Sequence, residues 1–213
     1  MPDITIKYFD IRGRAEALRM ALHIGGIPFK DDRFQFSDFD KIKESGELPF
    51  NQVPIMIVDG QVISQSVALL RYCGKLAGLY PRGEEEDLYA ARIDEVIDVL
   101  LDIINYAYKY RGPDKEKLKE VREEFVRDVV PRFVGGLDRL TSKASEGKYI
   151  CGDKLSIADL VLYYTIWNIK NGNCEFVPTD LFEKYPRLMS SFNAVETHPK
   201  VVEWNAAHPV KHM

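Results

Sequence analysis

Four short runs near the start of the chain put polar side chains where a strand ends or a helix begins, the places where ligands of open sheets collect. Tyr8 shares a face with Ile4 and Ile6 in an alternating strand pattern. A phenol there either sits in the core with its hydroxyl satisfied or offers its O–H to a ligand in a cleft alongside. Arg12-Gly13-Arg14 follows at once and opens a helix, where backbone N–H groups and the dipole favour an anion. Gln52-Val53-Pro54 puts proline at the first position of a strand, where its missing N–H costs no ladder bond. A cis bond before Pro54 would turn the Val53 N–H and C=O sideways, toward an extended peptide ligand. Gln65-Ser66, preceded by Ser64, begins another helix. Its hydroxyl either caps the helix or, with the helix N-terminus, binds a carboxylate.

Other constellations have plainer readings. Ser156 and Asp159 take the N-cap and N3 positions of a helix, with Leu155 and Leu160 as the hydrophobic staple. Capping explains all four without a catalytic pair. Asp94, Asp98 and Asp102 line one face of a helix, by themselves a solvated face. Cys73, Cys151 and Cys174 are three widely spaced thiols, which gives no disulfide framework and no C-x-x-C pair for redox or zinc chemistry. The net charge of −4 provides no basic field for nucleic acid or anionic lipid. The first ten residues, MPDITIKYFD, lack the apolar stretch of a signal peptide. No window approaches the ~18 apolar residues of a membrane span, and the most apolar run, Leu160 to Trp167, suits a buried helix. A reduced cytoplasmic setting is therefore expected.

The elements that must position these residues follow from periodicity. The chain has 213 residues, 46% of them hydrophobic, enough for one large domain or two modest ones with real cores. A strand over Ile4–Phe9 leads to a helix over Ala15–Ile24, stopped by Gly25-Gly26. A second strand (Phe29–Phe34) and a short helix (Ser37–Ser45) come next. Ile55–Val58 and Gln61–Ile63 flank Asp59-Gly60, a type I′ hairpin signal, and a helix over Ser66–Ala77 completes an α/β domain at residues 1–78. Residues 79–86, with Pro81, Gly83 and three glutamates, read as a linker. Residues 87–213 read as all-helical: a long amphipathic helix over Leu88–Arg111, a charged one over Lys115–Lys143, the capped third, and two more around Pro186–Glu196 and Lys200–Ala207.

Tyr8, the FDIRGRAE turn, PFNQVPI, SQSVALLRY with an acidic linker after it, and SIADL in the helical half together resemble the cytosolic glutathione transferases, in order and spacing over essentially the whole chain. Among their classes the chain is similar to the tyrosine-type group, nearest the sigma class, which also contains glutathione-dependent prostaglandin isomerases and lens crystallins. The resemblance implies a thioredoxin-like α/β domain joined to an all-α domain. It also implies a cytoplasmic homodimer that conjugates glutathione to small hydrophobic electrophiles, a detoxification chemistry. A glutathione-dependent isomerase of the prostaglandin-synthase type, or a noncatalytic crystallin-like glutathione-binding protein, would share the same fold.

Residue by residue, the resemblance implies that Tyr8 hydrogen-bonds the glutathione thiolate, with Arg14 close to the thiol. Val53 pairs its backbone with the cysteinyl part, cis Pro54 sets that geometry, and Gln52 lies near the peptide. Gln65 and Ser66 hold the γ-glutamyl carboxylate, Lys43 stands near the glycyl carboxylate, and Asp102 reaches across a dimer interface toward the γ-glutamyl ammonium of the neighbouring site. Phe39 departs from the pattern, since related enzymes have tryptophan there and phenylalanine offers no donor. No metal is implied, because Leu101 precedes Asp102 where metal-binding members have adjacent aspartates. Phe50 reads equally as a key inserted into a partner subunit or as a buried core ring. The second substrate is expected in an apolar cleft walled by Phe9, Ile11, Ile104 and Tyr108.

Overall fold

The computed structural model describes residues 1–83, 86–144 and 147–209. Glu84 and Glu85 of the expected linker lie outside the described residues. The chain divides into two compact units, one formed by Met1–Arg82 with the segment from Pro199 onward, the other by Gly83–His198.

The first unit is built on a four-stranded sheet of order β2-β1-β3-β4, comprising β1 (Ile4–Phe9), β2 (Lys30–Phe34), β3 (Ile55–Val58) and β4 (Gln61–Ser64). β1 runs parallel to β2, pairing Phe9 with Phe34, and antiparallel to β3, pairing Ile4 with Val58. Alternation along β1 buries Ile4, Ile6 and Tyr8. β2 reads KDDRF and has no buried residue, the charged composition that keeps an edge strand from pairing with other chains. Between β3 and β4, Asp59 and Gly60 hold φ at 48° and 82°, as a type I′ turn requires of both central residues. α1 (Glu16–Ile24) and α3 (Ser66–Ala77) pack together, and α2 (Phe39–Glu44) follows a 3-10 turn at Phe36–Asp38.

The second unit holds α4 (Asp87–Ala107), α5 (Lys115–Glu124), a π-helical stretch over Phe125–Val134, α6 (Gly135–Ala144), α7 (Ile157–Lys170) and α8 (Pro186–Glu196). α4 ends at Ala107, four residues before the expected Arg111, because Tyr108 leaves helical geometry at φ −109° and ψ 26°. The charged helix expected over Lys115–Lys143 continues through Pro131 by widening into π-type turns. Proline there lacks the N–H of an α-ladder. Ile93, Ile97 and Leu100 of α4 are buried, as are Leu160, Leu162 and Ile166 of α7, and these two helices pack together.

α9 (Pro199–Ala207) was expected with the helical domain, but it packs against α1 in the first unit. Val201 and Trp204 bury their side chains there, and the Trp204 Nε1–H donates to the buried Glu16 carboxylate at 2.9 Å. Among the described residues no helix is long and apolar enough to cross a membrane.

Candidate functional site

Tyr8 is the last inward-facing residue of β1 and is 6% exposed. The turn after the strand folds against its ring. A Cβ at residue 13 would lie 2.5 Å from the Tyr8 hydroxyl oxygen, and Gly13 holds φ at +48°, so only glycine satisfies both the space and the backbone. That close approach brings the Arg14 backbone N–H to the hydroxyl, to which it donates at 3.2 Å. The hydroxyl therefore accepts from the chain. Its own proton has no acceptor among the described residues.

The turn is held by a side chain that the sequence pattern did not single out. Arg19 of α1 is fully buried. Its Nη1 donates to the carbonyls of Ile11 at 2.7 Å and Arg12 at 3.2 Å, its Nη2 to that of Phe9 at 3.5 Å, and its Nε to the Asp31 carboxylate at 2.9 Å. Burial lowers the Arg19 pKa and Asp31 opposes that shift. The rigid five-donor guanidinium thus ties the end of β1, the turn and β2 together. One signal could have found it: position 19 falls on the buried stripe of α1, four after Ala15 and three before Leu22, where a charge needs partners.

A second group converges nearby in sequence order and in space. Arg14, Phe50, Gln52, Val53, Pro54, Ser64, Gln65 and Ser66 line one open hollow. The Val53–Pro54 bond is cis. Gln65 holds φ at 72° and ψ at 104°, a sparsely populated conformation costing ~1–3 kcal/mol and met mostly where a site imposes it. The N-cap of α3 is Gln65, which makes no side-chain cap bond, and Ser66 is the first helical residue. The simple capping alternative for Ser66 is therefore overturned. Neither the Ser66 hydroxyl nor the Gln65 amide has a hydrogen-bond partner among the described residues. Tyr8 does not line this hollow; Arg14 joins the two groups, bonding Tyr8 through its N–H and facing the hollow itself.

Residues 4–75 match the family model described as the glutathione S-transferase N-terminal domain, and residues 97–208 match the one described as its C-terminal domain. The chain belongs to the glutathione S-transferase family. It is similar to glutathione S-transferase 3 of Caenorhabditis elegans, 33% identical with 98% of each chain covered. It is also similar to hematopoietic prostaglandin D synthase of Gallus gallus, at 31% identity and the same coverage. The solved structure of prostaglandin synthase D of Nilaparvata lugens superposes with a TM-score of 0.85 at 29% identity, covering 99% of this chain and 100% of that one. The chain is a glutathione transferase, with the thioredoxin-like and helical domains of that family.

In this transferase the remaining expected residues are placed as follows. The Lys43 Nζ pairs with Asp40 at 2.6 Å and stands 4.9 Å from the Phe39 ring centroid. Neither Lys43 nor Phe39 lines the hollow. Phe39 meets Phe9 edge-on at 5.1 Å, and Phe9 stacks on Phe36 at 4.3 Å, so Phe9 is engaged in an aromatic cluster of the first unit. Ile11 and Ile104 are half-buried, and Asp102 is exposed on α4. The Tyr108 hydroxyl accepts from Asn168 Nδ2. Phe50 is 62% exposed, which overturns its buried-core alternative. All three cysteines are free. Burial pushes the Cys73 and Cys151 thiols up to about 12, so at neutral pH neither is a nucleophile. Among the described residues no cluster of three His, Cys, Asp or Glu side chains is placed to hold a metal ion.

Proposed function

We propose that this transferase binds glutathione in the hollow at the start of α3, activates its thiol as the thiolate through Tyr8, and adds it to small hydrophobic electrophiles. The observation that carries the reading is the Tyr8 hydroxyl, nearly buried, accepting from Arg14 N–H and holding a proton with no acceptor. A sulfur anion is the acceptor this proton fits. A free thiol has a pKa of ~8.5, so only a few per cent is thiolate at neutral pH. Lowering it by about two units takes ~2.7 kcal/mol of differential stabilisation. One hydrogen bond to a charged group supplies ~1.5–3 kcal/mol, which suffices without a metal or a protein cysteine.

The rest of the glutathione molecule has matching groups. Ser66, Gln65 and the uncapped N-terminus of α3 suit the γ-glutamyl carboxylate. The Val53 backbone beside the cis bond suits the cysteinyl peptide, with Gln52 next to it. Lys43 reaches the glycyl carboxylate by exchanging its exposed partner Asp40. We read the protein as a tyrosine-type, sigma-like, cytoplasmic homodimer. The exposed Phe50 is then the residue that enters the partner, and the exposed Asp102 the carboxylate offered to the neighbouring γ-glutamyl ammonium.

The test is a pH titration of bound glutathione by its ultraviolet thiolate absorbance, in the native protein and in Tyr8→Phe. The expected result is a pKa below the free value that returns toward it in the variant. Saturable binding with an unshifted pKa overturns activation by Tyr8. A second reading, glutathione-dependent isomerisation, draws support from the relative named prostaglandin D synthase at 31% identity. It uses the same glutathione contacts, and product analysis with candidate lipid substrates separates the two.

A further inference from the structure

The second unit contains a buried cation with no counter-ion among the described residues. Arg122 of α5 is 4% exposed. Its Nε and Nη1 are shielded from solvent and have no hydrogen-bond partner among the described residues. Its guanidinium lies 4.9 Å from the centroid of the Tyr108 ring, a cation–π contact that recovers only part of what burial of a charge costs. A second guanidinium, that of the exposed Arg111, stands 5.6 Å from the same ring and donates to the Tyr108 carbonyl at 3.4 Å.

The carboxylates of this region are engaged elsewhere. Glu124 lies 3.7 Å from Lys109, Glu175 pairs with Lys115 at 2.6 Å, and Asp114 accepts the N–H groups of Glu116 and Lys117 at the start of α5. Neither arginine has a carboxylate partner among the described residues. The Tyr108 hydroxyl is held in place by Asn168, so the ring between these charges is fixed.

We infer that Arg122, Arg111 and Tyr108 form a binding site for a monocarboxylate that carries an apolar body. The buried Arg122 guanidinium, with unpartnered donors, calls for the acceptor oxygens of an anion, and the exposed Arg111 guanidinium on the same ring adds positive charge beside it. Burial of Arg122 selects a singly charged group, because desolvating a doubly charged phosphate costs far more than desolvating a carboxylate. Ile104, one helical turn before Tyr108 on α4 and half-buried, supplies apolar surface beside the ring. Ile104 and Tyr108 are also walls expected for the second substrate, so the site names an acid class for that substrate and rests on that reading; it needs no thiol activation.

The probes are octanoate and 1-octanol, of equal chain length, titrated calorimetrically into the full chain at saturating glutathione. Octanoate is expected to bind at least about tenfold more tightly than the alcohol. Arg122→Met is expected to remove that preference while keeping the fold, since an apolar residue of similar volume replaces an unpaired buried charge. Arg111→Met, at an exposed position, is expected to reduce the preference severalfold. Equal binding of acid and alcohol, or a preference that survives both substitutions, overturns the site and leaves Arg122 as a hydrated side chain. Tyr8→Phe is expected to keep the acid preference, so thiol activation and acid binding fail separately.

Discussion

Two helices of this chain have a serine at their start, Ser156 as the N-cap of α7 and Ser66 as the first residue of α3, and the two junctions are wired in opposite ways. At α7, the buried Asp159 carboxylate accepts the Ser156 N–H at 2.8 Å, the Ser156 hydroxyl at 2.7 Å and the Ile150 N–H at 2.7 Å. Ser156 itself has ordinary extended backbone, and the capping box is complete. At α3, Gln65 holds φ at 72° and makes no cap bond, and the Ser66 hydroxyl faces a hollow with no partner. The first junction closes its hydrogen bonds on itself, as buried polar groups in scaffolds do. The second accepts backbone strain and leaves donors open, as groups that await a ligand do. Tyr8 and Arg19 repeat the contrast within the first unit: the arginine distributes its donors over three carbonyls and a carboxylate, whereas the tyrosine keeps its proton in reserve.

Substitutions at the closed junction should affect folding, and those at the open junction should affect binding. The largest effect is expected at the closed one. Asp159→Ala removes the acceptor of three donors and should lower stability by about 2–4 kcal/mol in urea unfolding, with glutathione affinity of the folded protein unchanged. A loss under about 1 kcal/mol would show that these bonds contribute little. Burial also pushes the Asp159 carboxyl up to about 6, above the ~3.9 of an unfolded aspartate. Between those values the native state binds more protons than the unfolded chain, so this group's contribution to stability falls as pH rises from about 4 to 6, by about 2–3 kcal/mol. Asp159→Asn should flatten that part of the stability curve. An identical slope in the variant would assign the pH dependence to other groups.

At the open junction the expectation reverses. Ser66→Ala should weaken glutathione binding by about 1.5–3 kcal/mol, roughly 10- to 150-fold, if the hydroxyl bonds a carboxylate. Its effect on stability should stay within about 0.5 kcal/mol, because no intramolecular bond is lost. A variant that binds normally but melts earlier would return Ser66 to the scaffold.

Much of this was legible in the sequence because the signals are local. Ile4, Ile6 and Tyr8 announce β1 by alternation, Asp59-Gly60 announces the hairpin, and Ser156 with Asp159 announces its own cap, each within a few residues. The runs that form the candidate site are local too, but their meeting in one hollow is not. Periodicity shows that α9 has an apolar side; it does not show that Trp204 will answer Glu16, 188 positions away. The same limit hid Arg19, whose partners lie on the turn and on β2, and the tie between Tyr108 and Asn168, 60 positions apart. Phe50 shows a further limit, because an aromatic residue reads alike in sequence whether it ends in the core or, as here, 62% exposed.

The smallest expected effect adds a donor to the open region instead of removing one. Phe39 is half-buried, edge-on to Phe9, with Lys43 Nζ 4.9 Å from its ring centroid. The ring fills its place in the aromatic cluster but has no N–H to give. Phe39→Trp keeps an aromatic ring against Phe9 and, in the proposed binding mode, offers an indole N–H to the glycyl end of glutathione. One neutral hydrogen bond is worth about 0.5–1.5 kcal/mol, so glutathione should bind roughly 2- to 12-fold more tightly, with the thiol pKa unaltered because Tyr8 is untouched. An unchanged dissociation constant would mean that position 39 does not face the glycyl end, and that the cluster of Phe9, Phe34, Phe36 and Phe39 belongs to the closed, scaffold side of the comparison.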